Sequence, residues 1–271
     1  MPPIITLTTD FGLQDEYVGV MKGILTALAP QARLIDLCHN IRAQDLRQTA
    51  FTLQAAAPYF PAGTIHLAVV DPGVGSKREL LILQTMDRHY FVAPDNGLLT
   101  PFLAEDRFHS AVFIDCPHLY RQPPSTTFHG RDILAPVAAA LANGADPSRL
   151  GTQAFKENLT KLASPTLQID QIHGNIDGSV IHIDHFGNLT TNIHQSDLAE
   201  LATDPASLQI VHGNHQVTGL ASAYASRPDG QVLAIIGSRG YLELAVTNGN
   251  AAQTLGAKMD DPVRVTLGMK G

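Results

Sequence analysis

The chain of 271 residues carries 25 acidic against 18 basic residues, a formal charge of -7, and is 44% hydrophobic but only 16% charged. That apolar content excludes a disordered chain, and the lack of a basic stripe argues against a nucleic-acid partner, whose affinity comes from neutralising phosphates. The length suits one large domain or two smaller ones. Cys38 and Cys116 are the only cysteines, and they sit at neither a zinc nor a redox spacing. Met1-Pro2-Pro3 carries no basic stretch ahead of an apolar segment, and Asp and Gly interrupt every apolar run. The expectation is a cytoplasmic protein with no membrane partner.

Ile4 to Thr9 reads as a short apolar strand that runs into Asp10-Phe11-Gly12. Asp15 to Leu28 repeats Tyr17, Val20, Met21, Ile24, Leu25 and Leu28 at helical spacing until Pro30 stops it. Arg33 to Leu37 predicts a second strand, and Ala43 to Tyr59 a second helix with Leu46, Ala50, Leu53 and Ala57 on one side. Ile65 to Val70 is the next strand and ends in Asp71-Pro72-Gly73-Val74-Gly75. Leu80 to Gln84 and Tyr90 to Ala93 predict neighbouring strands joined at Asp87-Arg88, and Ala111 to Ile114 another. Gly130 to Asn143 reads as a helix despite Pro136, a residue tolerated best near a first turn. This alternation predicts a layered α/β core.

The texture changes after Ala145-Asp146-Pro147-Ser148. From Thr166 the pattern is short strands: Leu167 to His173, Gly178 to Asp184, Leu208 to Val211, Val217 to Leu220, Val232 to Ile236, Tyr241 to Val246 and Val263 to Leu267. The division expected is an α/β domain over 1–160 and a smaller β domain over 166–271, with one continuous domain as the alternative.

In open α/β sheets the site lies beyond the carboxyl ends of the strands, so Asp10 and Asp71 are candidates for one cleft. A short carboxylate at a strand end can accept two hydrogen bonds from a ribose diol; it can equally cap the following helix. Arg78 follows Asp71 closely enough to return across the turn and pair with it, in a catalytic or a structural ion pair. His129 precedes the helix expected from Gly130, where unpaired N–H groups create a positive field. There it suits orienting or deprotonating a water as neutral imidazole, or an ordinary interfacial role. Asp10, Asp71, Asp95 and His129 also admit a metal cluster, although no pair is preassembled at ligand spacing. In the β region, Asp184 and Asn188 suit an ammonium group, and Ser238 with Arg239 a carboxylate, since arginine offers a rigid fork. Together they resemble a detector for an α-amino acid, and separately they are ordinary turns. Phe11, Tyr17 and Phe186 either stack on a base or serve packing.

Several pieces occur in order along almost the whole chain: Thr8-Thr9-Asp10-Phe11-Gly12, Asp71-Pro72-Gly73-Val74-Gly75 with Arg78, and Pro94-Asp95-Asn96-Gly97. Phe128-His129-Gly130-Arg131-Asp132, Asp184-x-Phe186-Gly187-Asn188 and Ser238-Arg239-Gly240 complete the set. In this combination the chain resembles the S-adenosyl-L-methionine hydroxide adenosyltransferases, relatives of the adenosyl-halide synthases (fluorinase and chlorinase). The resemblance implies an N-terminal α/β domain and a smaller C-terminal β-barrel-like domain. It also implies a homotrimer with the substrate at a subunit interface, and no cofactor, because S-adenosyl-L-methionine is itself the substrate. By the same resemblance Asp71, Arg78 and His129 are catalytic and Asp10 binds the ribose. Asp184, Asn188, Ser238 and Arg239 contact the methionine portion, and the backbone near Asn248 and Ala251 meets the adenine. The complete Asp-Arg-His set and the short Arg78 to Tyr90 segment favour water over halide as nucleophile. The implied reaction yields adenosine and L-methionine; chloride-dependent adenosyl transfer and a non-catalytic adenosyl-ligand binding protein are the alternatives.

Overall fold

The computed structural model describes residues 1–268; residues 269–271, the end of the expected second domain, lie outside the described residues. The chain divides into two compact units, one ending at Leu162 and the other beginning at Ala163.

The first unit comprises β1 (Ile4–Thr9), α1 (Tyr17–Leu28), β2 (Arg33–Cys38), α2 (Leu46–Ala56), β3 (Ile65–Val69), β4 (Leu80–Thr85), β5 (Tyr90–Pro94), β6 (Phe108–Ile114), α3 (Ala135–Ala142) and β7 (Gly151–Ala154). These strands form one sheet in the order β2-β1-β3-β5-β4-β6-β7. β1 pairs in parallel with both β2 and β3, and β3 with β5, whereas β4, β6 and β7 pair antiparallel. The sheet is therefore mixed. Alternation of side chains along β1 and β3 sends Ile5, Leu7, Ile65, Leu67 and Val69 into one core with Met21, Leu25, Leu134 and Val137. The other face packs Ala68, Leu81, Leu83 and Phe91 against Leu53 and Ala57.

Local chemistry moves three of the expected boundaries. α1 begins at Tyr17 and buries Val18, Met21 and Leu25, leaving Tyr17 and Leu28 at its exposed margins. α2 starts at Leu46 rather than Ala43, because the Asp45 carboxylate accepts the Gln48 N–H as an N-cap. Gln44 lies outside the helix with φ 65°, its N–H given to Asp10. The helix expected from Gly130 begins with a π-helical turn, Gly130–Leu134, before α3 takes over. Pro136 has no N–H to offer, and the Asp132 carbonyl accepts instead from the Arg121 N–H at 3.0 Å.

The second unit comprises β8 (Gln168–Asp170), β9 (Asn175–Ile183), β10 (Leu189–His194), α4 (Gln195–Leu201), β11 (Leu208–His212), β12 (His215–Thr218), β13 (Val232–Ile236), β14 (Tyr241–Val246), α5 (Ala251–Leu255) and β15 (Pro262–Leu267). The strand order is β12-β11-β15-β9-β10-β14-β13, with β8 added on β9. All of its named pairings are antiparallel. Near the free edge of β13 the Ala221 N–H reaches the Ala234 carbonyl at 2.7 Å, and Ala221 forms a parallel bridge with Ile235. The result is a nearly closed, barrel-like sheet around Ile176, Val180, Leu189, Ile193, Leu242, Leu244 and Val265, an arrangement that limits exposed strand edges. α4 and α5 are short helices that the sequence pattern does not predict, each set by a polar cap: His194 with Asp197 for α4, and Asn250 for α5.

Candidate active site

β1 and β3 run side by side in parallel with Thr9 opposite Val69, so Asp10 and Asp71 leave the sheet from the same end. Asp10 is half-buried, and its Oδ2 accepts the Gln44 N–H at 2.8 Å. The strand end is braced from behind. The Thr9 hydroxyl meets His39 Nδ1 at 2.9 Å, His39 Nε2 meets Asp36 at 3.0 Å, and the Gly12 N–H reaches the His39 carbonyl. Asn96 holds the Val70 carbonyl at 2.9 Å, just before Asp71.

Arg78 returns across the Asp71–Gly75 turn. Its Nε lies 2.7 and 2.9 Å from the two Asp71 oxygens, and its Nη2 also contacts Oδ2. The Arg78 and Asp71 side chains are only 10% and 6% exposed, respectively. The same Nη2 lies 3.0 Å from His129 Nδ1. A guanidinium can only donate, so Nδ1 is the acceptor and the neutral ring carries its proton on Nε2. Burial, reinforced by the Arg78 charge, holds the His129 pKa below its ordinary value, and Asp71 and Asp132 oppose this. His129 is therefore neutral at neutral pH, with an N–H free of the Arg78 bond.

Gly75 is what allows the Asp71 turn to lie against the loop that carries His129. It has φ +78°, and a Cβ there would stand 2.5 Å from the Thr126 carbonyl oxygen. Asp132, 1% exposed, ties the same loop to the helix. It accepts from the Ser125 N–H at 2.8 Å and from Arg131 at 2.6 and 2.7 Å, and the Arg131 hydrogen bond holds its carboxyl below the usual range. Phe11, Tyr17 and Phe128 pack on one another with centroids 5.3 to 5.7 Å apart. This aromatic wall, Asp10, Asp71 and His129 line one cleft of about 660 Å³, a volume suited to a nucleoside-sized ligand.

The four-residue metal cluster is not assembled. Asp95 accepts from the Thr160 N–H and hydroxyl at 3.1 and 3.2 Å, and it does not line the cleft. Among the described residues no group of three or more His, Cys, Asp or Glu side chains could hold a metal ion.

In the second unit, the Asp184–Asn188 turn joins β9 to β10. Asp184 Oδ1 accepts from the Phe186 and Asn188 N–H groups, and Asn188 Nδ2 donates to Oδ2 at 3.0 Å. Phe186 is 71% exposed. Ser238 and Arg239 occupy the turn between β13 and β14. The register of Leu189 with Leu244, and of His194 with Tyr241, sets the Asp184 and Ser238 turns at opposite ends of the β10–β14 pair. Thr190 and Glu243 lie between them. Asn248, at φ 50°, donates to Asp229, and Ala251 is the buried first residue of α5. The Ala252 N–H reaches the Gly187 carbonyl at 2.9 Å, which ties that segment to the Asp184 turn. Glu243, 8% exposed, is a buried acidic residue that the sequence pattern alone does not single out. The signal it carries is that of an ionisable residue at a buried position of an otherwise apolar strand.

Comparison with known proteins supplies the context. Residues 5–151 match the family described as SAM hydroxide adenosyltransferase N-terminal domain, and residues 178–264 match its C-terminal domain. The chain is 36% identical to an (R)-S-adenosyl-L-methionine hydrolase of Thermus thermophilus, covering 98% of this chain and 100% of the relative. It is 38% identical to an enzyme of the same name from Salinispora arenicola, covering 98% of each. Its fold matches the crystal structure of an uncharacterized conserved protein from Thermotoga maritima with a TM-score of 0.89 and 34% identity, over 97% of this chain and 99% of that one. Matching at both of its domains, and at such identity over nearly its full length, the chain belongs to the SAM hydroxide adenosyltransferase family.

Proposed function

We propose that this chain hydrolyses S-adenosyl-L-methionine to adenosine and L-methionine through attack of water at C5′. The observation that carries the reading is that Arg78 bridges Asp71 and His129, which line the same cleft as Asp10. A sulfonium is already a good leaving group, so the chemistry asks little of acid catalysis. The demand is for a nucleophile held in line with the C–S bond, and water, with a pKa of about 15.7, is a weak one.

The hydrogen-bond directions support the following roles. His129 donates from Nε2 to one lone pair of the water, leaving the other to attack C5′. Asp71, held by Arg78, accepts a water proton as the C5′–O bond forms. The C5′–S bonding pair passes to sulfur, which leaves as the neutral thioether of methionine, and the proton passes from Asp71 to solvent. Asp10 binds the ribose diol through its remaining acceptor capacity. Asp184, Asn188, Ser238 and Arg239 hold the methionine portion, and the Asn248–Ala251 backbone meets the adenine. The names of the hydrolase relatives lead us to the (R)-sulfonium epimer as the preferred substrate. A homotrimer that completes the site at subunit interfaces, in the cytoplasm, belongs to the same proposal; sedimentation at a trimer mass would support it and a stable monomer would refute it.

The test is incubation of purified protein with each sulfonium epimer, with and without chloride. Adenosine formed in both conditions, faster from the (R) epimer, supports the reading. Chloride-dependent 5′-chloro-5′-deoxyadenosine would instead establish halide transfer. Tight binding without product under single-turnover conditions would establish a binding protein.

A further inference from the structure

We propose that Glu243, together with Tyr224, is a positioning residue for the amino-acid end of the substrate, fixing the Gly237–Gly240 turn that carries Ser238 and Arg239. The proposal rests on the reading of that turn as the methionine contact.

β14 reads Tyr-Leu-Glu-Leu-Ala-Val, and the alternation sets Glu243 between Thr190 of β10 and Ile235 of β13. It is 8% exposed. A carboxylate at that depth is unfavourable unless hydrogen bonds compensate its lost hydration. Glu243 Oε2 accepts the Tyr224 hydroxyl at 2.8 Å, and Oε1 accepts the Thr190 hydroxyl at 3.4 Å.

The carboxylate also presses on the backbone at Gly237. A Cβ there would collide with Oε1 and the carboxyl carbon of Glu243, so only glycine lets the main chain pass so close. Ser238 and Arg239 follow directly. The turn closes through the Gly240 N–H to the Gly237 carbonyl and the Gly237 N–H to the Tyr241 carbonyl, each at 2.9 Å. A shift of the Glu243 carboxylate therefore shifts the first residue of a tight turn, and with it both methionine contacts.

Tyr224 links this support to the other recognition segments. Its carbonyl accepts the Thr247 hydroxyl at 3.0 Å, next to Asn248. Burial first, then the Glu243 hydrogen bond and the charges of Glu243 and Asp184, push its phenol up to about 12, so it remains a donor across the neutral range.

Glu243→Gln and Tyr224→Phe test the role. Each perturbs a hydrogen bond to a buried charge, which predicts a KM for S-adenosyl-L-methionine raised about tenfold, with a smaller fall in kcat. Calorimetric affinity for L-methionine falls by the same factor, and affinity for adenosine stays within about twofold. An unchanged KM and methionine affinity would overturn the proposal. So would a parallel loss of adenosine affinity, which would mark a general structural effect. If the glutamine variant fails to fold, the phenylalanine variant alone decides the matter. A wild-type chain that binds the methionine end without cleaving overturns the proposed hydrolysis only, because the binding comparison still tests Glu243. A wild-type chain that binds neither ligand overturns both.

Discussion

Replacing Asp71 with asparagine removes one charge from a nearly buried trio while keeping its shape. The Asp71 and Arg78 side chains are 6% and 10% exposed, so little solvent can take over from the lost carboxylate. Breaking one partner of such a pair typically costs about 3–5 kcal/mol, because the other charge is stranded. The asparagine carbonyl can still accept one guanidinium bond, which predicts the lower end, about 3 kcal/mol of stability. The kinetic loss has a separate origin. If Asp71 takes the water proton, its amide replacement lowers kcat by about 10²–10⁴, the usual yield of general base catalysis. The His129 titration adds a signed test. Asp71 raises the His129 pKa and Arg78 lowers it, so the variant's imidazole has an even lower pKa and the acid limb of its residual activity moves to lower pH. The assay is kcat against pH from about 4 to 8, with chemical denaturation beside it. The double variant D71N/R78M removes both charges, and it should recover part of the stability but none of the activity. Turnover within a few-fold of wild type, or an acid limb displaced to higher pH, would refute the reasoning.

Two further expectations follow from the same unit. Asp10→Ala removes the proposed ribose acceptor along with the Gln44 N–H bond, and should weaken adenosine affinity about tenfold or more by calorimetry, the scale of losing charge-assisted hydrogen bonds; unchanged affinity would remove Asp10 from the site. His66 is fully buried between Thr6 and His89, at 2.8 and 3.2 Å, and desolvation depresses its pKa from 6.5 to about 3. The unfolded chain therefore binds the extra proton first. The contribution is intact above the unfolded value and is lost as pH falls toward the folded one, reaching about 2 kcal/mol at pH 5. Denaturation at pH 7 and pH 5 should show this slope in the wild type and a shallower one in His66→Phe; equal slopes would refute it.

The strand-end acids were legible because β1 and β3 are short apolar runs that stop at a polar turn, a pattern that needs no tertiary information. The pairing of Asp71 with Arg78 was within reach for the same reason, being local. Its extension to His129 was legible only through the family resemblance and not from local pattern, since it spans 51 positions and depends on Gly75 admitting the Thr126 carbonyl. The start of α2 was misplaced because the sequence does not show that the Gln44 N–H is diverted to Asp10. β7 passed unnoticed as a four-residue, partly exposed strand at the edge of its sheet. Asp95 suggested a metal ligand, whereas its partner is Thr160, brought near only by folding. Glu243 was unreadable as a support because its partners, Tyr224 and Gly237, come from separate loops.

The most direct test of the central claim is a reaction with S-adenosyl-L-methionine in ¹⁸O-enriched water, read by mass spectrometry of the nucleoside product. The account predicts adenosine labelled at its 5′ oxygen, with L-methionine unlabelled and formed in equal amount. Unlabelled adenosine, label in methionine, or a halogenated nucleoside in its place would contradict it.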